Sequence, residues 1–260
     1  MVLYVAYRAS RESKDRSLIP KRLSALGCKR LHRSFWKIDE KKTNRVIKVL
    51  EKNQPILLKR IRQIKKPRFA DKKKISDLGS LIIVMYATPK EPKREKIRNY
   101  LRTAPCIRLC RSVYAFPQKH ALFDKDNKLV DAQKFSEFIK EIHQDVRVIP
   151  RVVVVDTDSI EKLVQETRER IESEFADATS RWKELYERIL RGDDTRLLKD
   201  LYLRNRRRFV RARRVAAFYE KWLRIDTSRS LMRSYREMRK TRTLLSEREP
   251  LQTLSYKIHK

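Results

Sequence analysis

Apolar positions along the chain fall into two similar series about 80 residues apart. In the first, Val2 to Ala9 reads as a buried strand. Lys14 to Leu26 reads as a helix with Leu18, Ile19, Leu23 and Leu26 on one side. Arg30 to Ile38 alternates as a strand does. Lys41 to Lys52 returns to helical spacing through Val46, Ile47, Val49 and Leu50, and Pro55 to Ile64 reads as a strand of mixed period. In the second series, Ser80 to Thr88 is an almost continuous apolar run, the mark of a fully buried strand. Pro92 to Thr103 reads as a helix with proline in its first turn, Ile107 to Phe116 as a strand ended by Pro117, Ala132 to His143 as a helix, and Arg151 to Asp156 as a Val-rich strand. Phe123 to Val130 reads as a hairpin insert that the first series lacks. Periodicity leaves a fourth strand unplaced in both series.

A repeated motif lies at the same place in each series. Cys28-Lys29-Arg30-Leu31-His32-Arg33-Ser34-Phe35-Trp36 recurs as Cys106-Ile107-Arg108-Leu109-Cys110-Arg111-Ser112-Val113-Tyr114, identical at five of nine positions. Upstream, Tyr4-Val5-Ala6-Tyr7 answers Ile83-Val84-Met85-Tyr86, with Arg11-Glu12 and Lys90-Glu91 following. Such a period is too long for a solenoid and predicts a duplicated small domain. Strand, helix, strand, helix, strand is the split βαβ of a ferredoxin-like domain. The expected fold class is therefore α+β: two tandem ferredoxin-like domains at 1–66 and 79–157, joined by a Lys-rich linker at 67–78. Within the motif Leu31 and Leu109 are expected inside, and Cys28 and Cys106 as small buried residues at a helix–strand turn.

Residues 158–260 read as a helical extension. Asp158 with Glu161 resembles a capping box, and the helical period from Ile160 through Phe175 and Trp182 to Ile189 predicts a helix roughly 45 Å long. Gly192 breaks it, and Asp193-Asp194 can cap a second helix running to about Ile225. A shorter helix is expected over Ser228 to Ser246, with the chain beyond it frayed.

Charge alters the picture. The 260 residues hold 66 Lys+Arg against 33 Asp+Glu, a formal net charge of +33. Residues 1–78 carry 24 Lys+Arg and 7 Asp+Glu, residues 79–180 carry 18 and 16, and residues 181–260 carry 24 and 10. Uniform solubilising charge would not leave the middle near neutral. The basic flanks predict a polyanion partner, with nucleic acid first. Arg204, Arg207, Arg208, Arg211 and Arg214 share one face of the second long helix, while Leu201, Phe209, Ala212, Val215, Ala216, Tyr219 and Leu223 can anchor the other. The candidate phosphate contacts are Arg30, Arg33, Lys59, Arg60, Arg62, Lys65 and Lys66 in the first copy, and Arg204, Arg206, Arg207, Arg208, Arg211, Arg213 and Arg214 in the extension. A basic amphipathic helix on an anionic membrane surface is the weaker alternative, and no membrane partner is expected.

Little in the chain points to catalysis. With 3 glycines there is no material for a phosphate-cradling loop, and no G-x-G-x-x-G or P-loop occurs. Cys106 and Cys110 lack a second pair to complete a zinc site, and His32, His120, His143 and His259 are scattered. Asp156, Asp158 and Glu161 cluster after a Val-rich strand, where helix capping accounts for them; a divergent nuclease using Asp156 and Asp158 is the competing enzyme reading. No cofactor and no metal are expected. No run of 18 apolar residues is present, the N-terminus lacks the pattern of a signal peptide, and three cysteines without framework spacing suit a reducing cytoplasm.

The second copy resembles the N-terminal domain of the ChrB chromate-resistance regulators. The resemblance rests on Pro89-Lys90-Glu91-Pro92, Val113-Tyr114-Ala115-Phe116-Pro117, Phe135, Phe138, Glu141-Ile142, the Val152–Asp156 strand and the long helix, covering about residues 80–190. Both copies are also similar to the Cas2-type ferredoxin-like domain that PaaX-type repressors share. This resemblance implies the fold and an intramolecular pairing of the copies. It argues against a nuclease, because the carboxylate such nucleases carry after their first strand is replaced by Arg8 and Ala87. ChrB-like proteins also carry a C-terminal domain that the basic helices here do not resemble. The resulting expectation is a non-catalytic, cytoplasmic nucleic-acid-binding protein, a DNA-binding regulator or architectural protein, with a ribosome- or RNA-associated factor as the alternative and a homodimer through the second copy as a possible assembly.

Overall fold

The computed structural model describes residues 2–9, 17–71, 74–118, 129–142 and 145–258, with side chains as far as residue 248. The expected hairpin at 123–130 lies largely outside the described residues, as do Arg11, Glu12, Lys14, His120, His143 and His259. The architecture is α+β, with one eight-stranded antiparallel sheet, a two-stranded ribbon and, among the described residues, seven α-helices. The chain forms two compact units: Met1–Thr167 with Lys221–Arg224, and Arg168–Glu220 with Ile225–Lys260.

In unit 1 the first half comprises β1 (Leu3–Ala6), α1 (Leu18–Ala25), β2 (Lys29–His32), β3 (Phe35–Ile38), α2 (Thr43–Leu50) and β4 (Ile56–Arg60). A ribbon of β5 (Arg68–Phe69) and β6 (Ile75–Asp77) follows. The second half comprises β7 (Leu81–Tyr86), α3 (Lys93–Leu101), β8 (Ile107–Cys110), β9 (Val113–Pro117), α4 (Ala132–Ile142) and β10 (Val146–Val154). The sheet order is β2-β3-β1-β4-β10-β7-β9-β8, so both halves repeat one connectivity and one strand order, in mirrored direction along the sheet.

The repeated motif is a hairpin, and it supplies the strand that periodicity left unplaced. Arg33-Ser34 and Arg111-Ser112 are its turns, so Arg30 to Ile38 and Ile107 to Phe116 are each two strands, not one. Each turn is tied to the end of its half's first strand in the same way: Tyr7 N donates to Ser34 O and Tyr86 N to Ser112 O, both at 3.1 Å. A single register shift inside β2 and inside β8 hides the alternation from a period-2 reading. Leu109 is fully buried and Leu31 half-buried, and Cys28 and Cys106 are both buried.

β10 joins the halves. Its register runs Val146↔Tyr86 to Ile149↔Ile83 against β7, and Val152↔Arg60 to Val154↔Leu58 against β4. The register against β7 shifts at a bulge between Ile149 and Val152, beyond which Val152 pairs with Leu81 of β7 and Arg60 of β4. Pro150 falls within the bulge, where a proline without an N–H is tolerated inside a sheet. This proline and the exposed Arg147 and Val148 explain why sequence periodicity places only Arg151 to Asp156 in the strand.

The sheet curls on itself. β1 and β8 are five steps apart, about 24 Å in a flat sheet at ~4.8 Å per strand. Yet Arg8, just beyond β1, donates from Nε to Leu109 O at 2.6 Å and from Nη2 to Arg108 O, and its Nη1 pairs with Glu166 Oε1. His32 Nε2 lies 3.0 Å from Tyr86 O and Cys110 Sγ 3.6 Å from Ser34 O, so equivalent motif positions in the two halves each reach across to the other. Both sheet faces are consequently buried. Helices cover Leu3, Val5, Trp36 and Ile38 in the first half and Val84, Tyr86 and Phe116 in the second. The helix-free face is equally dry, through Tyr4, Ala6, Phe35 and Leu58 and through Ile83, Met85, Val113 and Ala115.

The Lys-rich stretch expected as a linker is instead packed structure. It carries the ribbon, buries Ile75 and Leu78, and accepts at Leu78 O a hydrogen bond from Trp222 Nε1 at 3.0 Å, while Arg224 lies 4.8 Å over the Phe69 ring. The cap of α5 (Thr157–Arg191) also differs from expectation. Asp156, not Asp158, accepts from Ser159 N at 2.8 Å, and Glu161 pairs with Lys74 at 2.7 Å.

In unit 2, α5 continues to Gly192, whose φ of +91° ends it. Asp194 Oδ1 then accepts from Leu197 N to cap α6 (Thr195–Leu223). The core stripe of α5 (Ile171, Phe175, Ala178, Trp182, Leu185, Ile189) is buried. Phe175 meets Phe209 of α6 edge-to-face at 6.3 Å, and Thr241 Oγ1 of α7 (Ser228–Ile258) donates to Trp182 O at 3.2 Å. α7 extends past Ser246, where the sequence suggested an end.

Two stability outcomes follow. Arg8→Met keeps the apolar stem but removes every donor to β8 and the counter-ion of Glu166. It should lower the unfolding free energy in urea by about 2–3 kcal/mol, whereas Arg33→Met at an exposed turn should change it by less than about 0.5 kcal/mol. Burial holds the His32 pKa below its ordinary 6.5, with Arg30 and Arg147 pushing the same way and the Tyr86 carbonyl and Asp145 opposing; Nδ1 has no partner for a second proton. A depressed base contributes stability that is full above 6.5 and declines as pH falls below it. Urea midpoints taken on either side of that value should show the decline in the native chain and a flatter profile in His32→Gln.

Candidate nucleic-acid interface

The chain leaves β4 at Arg60 and is at once held to the β10 bulge: Ile61 N donates to Arg151 O at 2.8 Å, and Arg60 N to Val2 O at 3.0 Å. Arg151 has a left-handed backbone, φ +59°, a conformation that costs a non-glycine residue about 1 kcal/mol or more. Between these segments opens a cleft of about 770 Å³. Lys59, Arg60, Arg62, Lys65 and Arg151 line it with Gln63, and Val2 and Ile61 form its apolar wall. The lining contains five cations, no carboxylate and no aromatic ring.

Lys65 is positioned by backbone. Its N–H donates to Ser80 Oγ at 2.7 Å and its carbonyl accepts from Ser80 N at 2.9 Å, which brings the start of β7 against the cleft segment. Gly79 permits this approach. Its φ is +75°, and a Cβ there would stand 2.8 Å from Pro67 N and 3.0 Å from Lys65 O.

Some cations elsewhere in unit 1 have carboxylate partners: Arg8 pairs with Glu166, Lys74 with Glu161 and Arg98 with Glu91. None of the five in the cleft makes an ion pair among the described residues. Arg151 Nη1 donates to Arg62 O at 3.1 Å, which fixes one guanidinium against the segment carrying another. Guanidinium groups held this way match phosphate oxygens in bidentate geometry, and like charges gathered without acids favour an anionic ligand.

The second cationic surface is on α6. Phe209, Val215, Ala216, Tyr219 and Leu223 are buried and Leu201 and Ala212 half-buried, while Arg204, Arg207, Arg208 and Arg211 are exposed and Arg214 is half-buried. At 3.6 residues per turn, Arg206 and Arg213, also exposed, fall on the far side of the buried stripe. These seven arginines make no ion pair among the described residues.

The remaining sequence candidates stand apart. Arg30 lies on the edge strand β2 with its guanidinium 5.9 Å over the Trp36 ring, and Arg33 is in the β2–β3 turn, where its carbonyl accepts from Tyr7 Oη at 3.4 Å. Lys66 is exposed next to Lys65 but outside the cleft lining. Sequence reasoning missed Arg151, because nothing local marks a bulge that a distant strand creates. It also missed Arg229, Arg233 and Arg236 of α7, exposed at helical spacing with Lys240, a row that the charge count of 181–260 contains and the spacing reveals. Burial pushes the Cys110 thiol up to about 12, so it carries no thiolate near neutral pH.

No family model, curated protein or solved structure matches the chain. No helix among the described residues is long and apolar enough to cross a membrane.

Gly79→Ala should push Lys65 and Pro67 away from β7. Expected are a loss of about 1–3 kcal/mol in thermal unfolding and a weaker affinity for polyanions, read by heparin-column elution at lower salt than the native chain.

Proposed function

We propose that this chain is a nucleic-acid-binding protein that grips the sugar–phosphate backbone, through the cationic cleft of unit 1 and the arginine face of α6. It acts by binding and not by catalysis. The observation that carries the reading is the gathering of cations without acids: five line the cleft with no carboxylate among them, and seven arginines of α6 make no ion pair among the described residues. Recognition of this kind positions a protein on nucleic acid and reads little sequence.

The connectivity of each half, with its fourth, first, third and second strands adjacent in that order, supports reading both as ferredoxin-like domains. The edge-to-edge joining of the halves supports the pairing implied by the resemblance to Cas2-type and ChrB-type domains. That resemblance favours DNA and a regulatory or architectural role.

The test is the salt dependence of binding to a mixed-sequence oligonucleotide. Replacing Arg207, Arg208, Arg211 and Arg214 with Gln should weaken binding to all sequences alike. The slope of log K against log salt should flatten by up to roughly 3.6, about 0.9 for each phosphate that is no longer neutralised. An unaltered slope would refute the role of α6 in binding.

A further inference from the structure

We propose that the solvent face of α7 around Tyr235 is a stacking site for an unpaired base, with the arginines beside it holding the neighbouring phosphates. The proposal rests on the nucleic-acid reading. It adds a surface that takes up a base, where the cleft and α6 grip backbone.

Three observations carry it. Tyr235 is 37% exposed, and every other aromatic ring among the described side chains is buried or half-buried. It makes no hydrogen bond, ion pair or ring contact among the described residues. Every base has a π-face that such a ring can cover, and stacking of this kind holds strands whatever their sequence. Next, the ring does not serve the packing of α7. The helix buries Ser234, Thr241 and Leu245, and Tyr235 stands away from that side. Met232, one turn earlier, is 48% exposed, so the two form an apolar strip on the outer surface of the helix.

The third observation is the setting of that strip. Arg229, Arg233, Arg236, Arg239 and Arg242 are all exposed on α7, and none makes an ion pair among the described residues. Glu237, the acid nearest Tyr235 in the helix, is engaged by Lys240 at 3.5 Å. Arg229 and Arg236 flank Met232 at helical spacing, while Arg239 and Arg242 stand one and two turns beyond Tyr235. Guanidinium groups therefore border the strip at both ends. This many like charges around an exposed ring favour a polyanion that also carries flat apolar groups, which is the chemistry of a nucleic-acid strand. In a duplex the bases are stacked on one another, so only an unpaired base can meet the ring.

Because the ring lies outside the core, its removal tests binding without unfolding the chain. In the full chain, Tyr235→Ala should leave the urea midpoint within experimental error. Its affinity for a fluorescent single-stranded oligonucleotide of mixed sequence, read by anisotropy, should fall about fivefold or more. Affinity for a duplex of the same length, and for a strand of abasic sugar–phosphate units, should not change. Tyr235→Phe should bind as the native chain does, since the face of the ring and not its hydroxyl makes the contact. Tyr235→Trp reports stacking directly. The three native tryptophans are at most 1% exposed, so quenching of the added, exposed indole by the oligonucleotide and not by the abasic strand marks a base upon it. The chain with Arg207, Arg208, Arg211 and Arg214 replaced by Gln serves as the comparison. Strand affinity reduced in that chain but unchanged in Tyr235→Ala would overturn the stacking site and leave the function standing. Absence of any nucleic-acid binding by the native chain would overturn both. Equal loss for strand, duplex and abasic strand would overturn the assignment to a base. If Tyr235→Ala binds strands as the native chain does but is released from vesicles of phosphatidylglycerol, the ring is a membrane anchor and not a base platform.

Discussion

Everything in unit 1 depends on β10 being hydrogen-bonded on both edges. The two halves join edge to edge through their fourth strands: β4 pairs with β10 over Val152–Val154, and β10 pairs with β7 from Val146 to Ile149 and again at Val152. The bulge between Ile149 and Val152 shifts the register against β7 and bends the strand. The same bulge forces Arg151 into the left-handed region and opens the sheet end where the cationic cleft forms. The joint between halves and the candidate binding site are thus one feature.

Curling is the second consequence. Two half-sheets that join edge to edge and each bury a helix-free face must bring those faces together, since neither can leave Phe35, Ile83 or Met85 in water. Curling leaves the two edge strands near the opposite half. Their open carbonyls then accept from arginines of that half: Leu109 O from Arg8, and Leu31 O from Arg147 at 3.4 Å. These are equivalent positions of the repeated motif. The motif is therefore mainly architectural. Its shared part makes the hairpin and turn, and its variable position, His32 in one copy and Cys110 in the other, makes the contact between halves.

Charge is divided by the same logic. The near-neutral second half supplies acids such as Glu91 that pair locally, and Glu166 and Glu161 on the first turns of α5 neutralise Arg8 and Lys74. Cations without an ion pair among the described residues line the cleft after β4 and the exposed face of α6, and also include Arg30 and Arg33 of the repeated motif.

Periodicity and composition by themselves determined the repeat, the α+β class, the helices of each half and the two long helices α5 and α6, because these depend on local spacing, whereas the third helix was read as ending near Ser246 and runs to Ile258. Apolar faces recur whether or not the partner surface is known, and the arginine face of α6 was legible for the same reason. The hairpin inside the repeated motif was written in Arg-Ser pairs but masked by a one-residue register shift. What only the tertiary structure decided was non-local: that the Lys-rich stretch at 67–78 packs and does not link, that β10 serves two neighbours, that Arg8 closes the sheet on β8, and that Arg151 joins Lys59, Arg60, Arg62 and Lys65 while Arg30 and Arg33 do not. Each depends on pairing between segments tens of residues apart, and no local pattern encodes which distant carbonyl an arginine will meet.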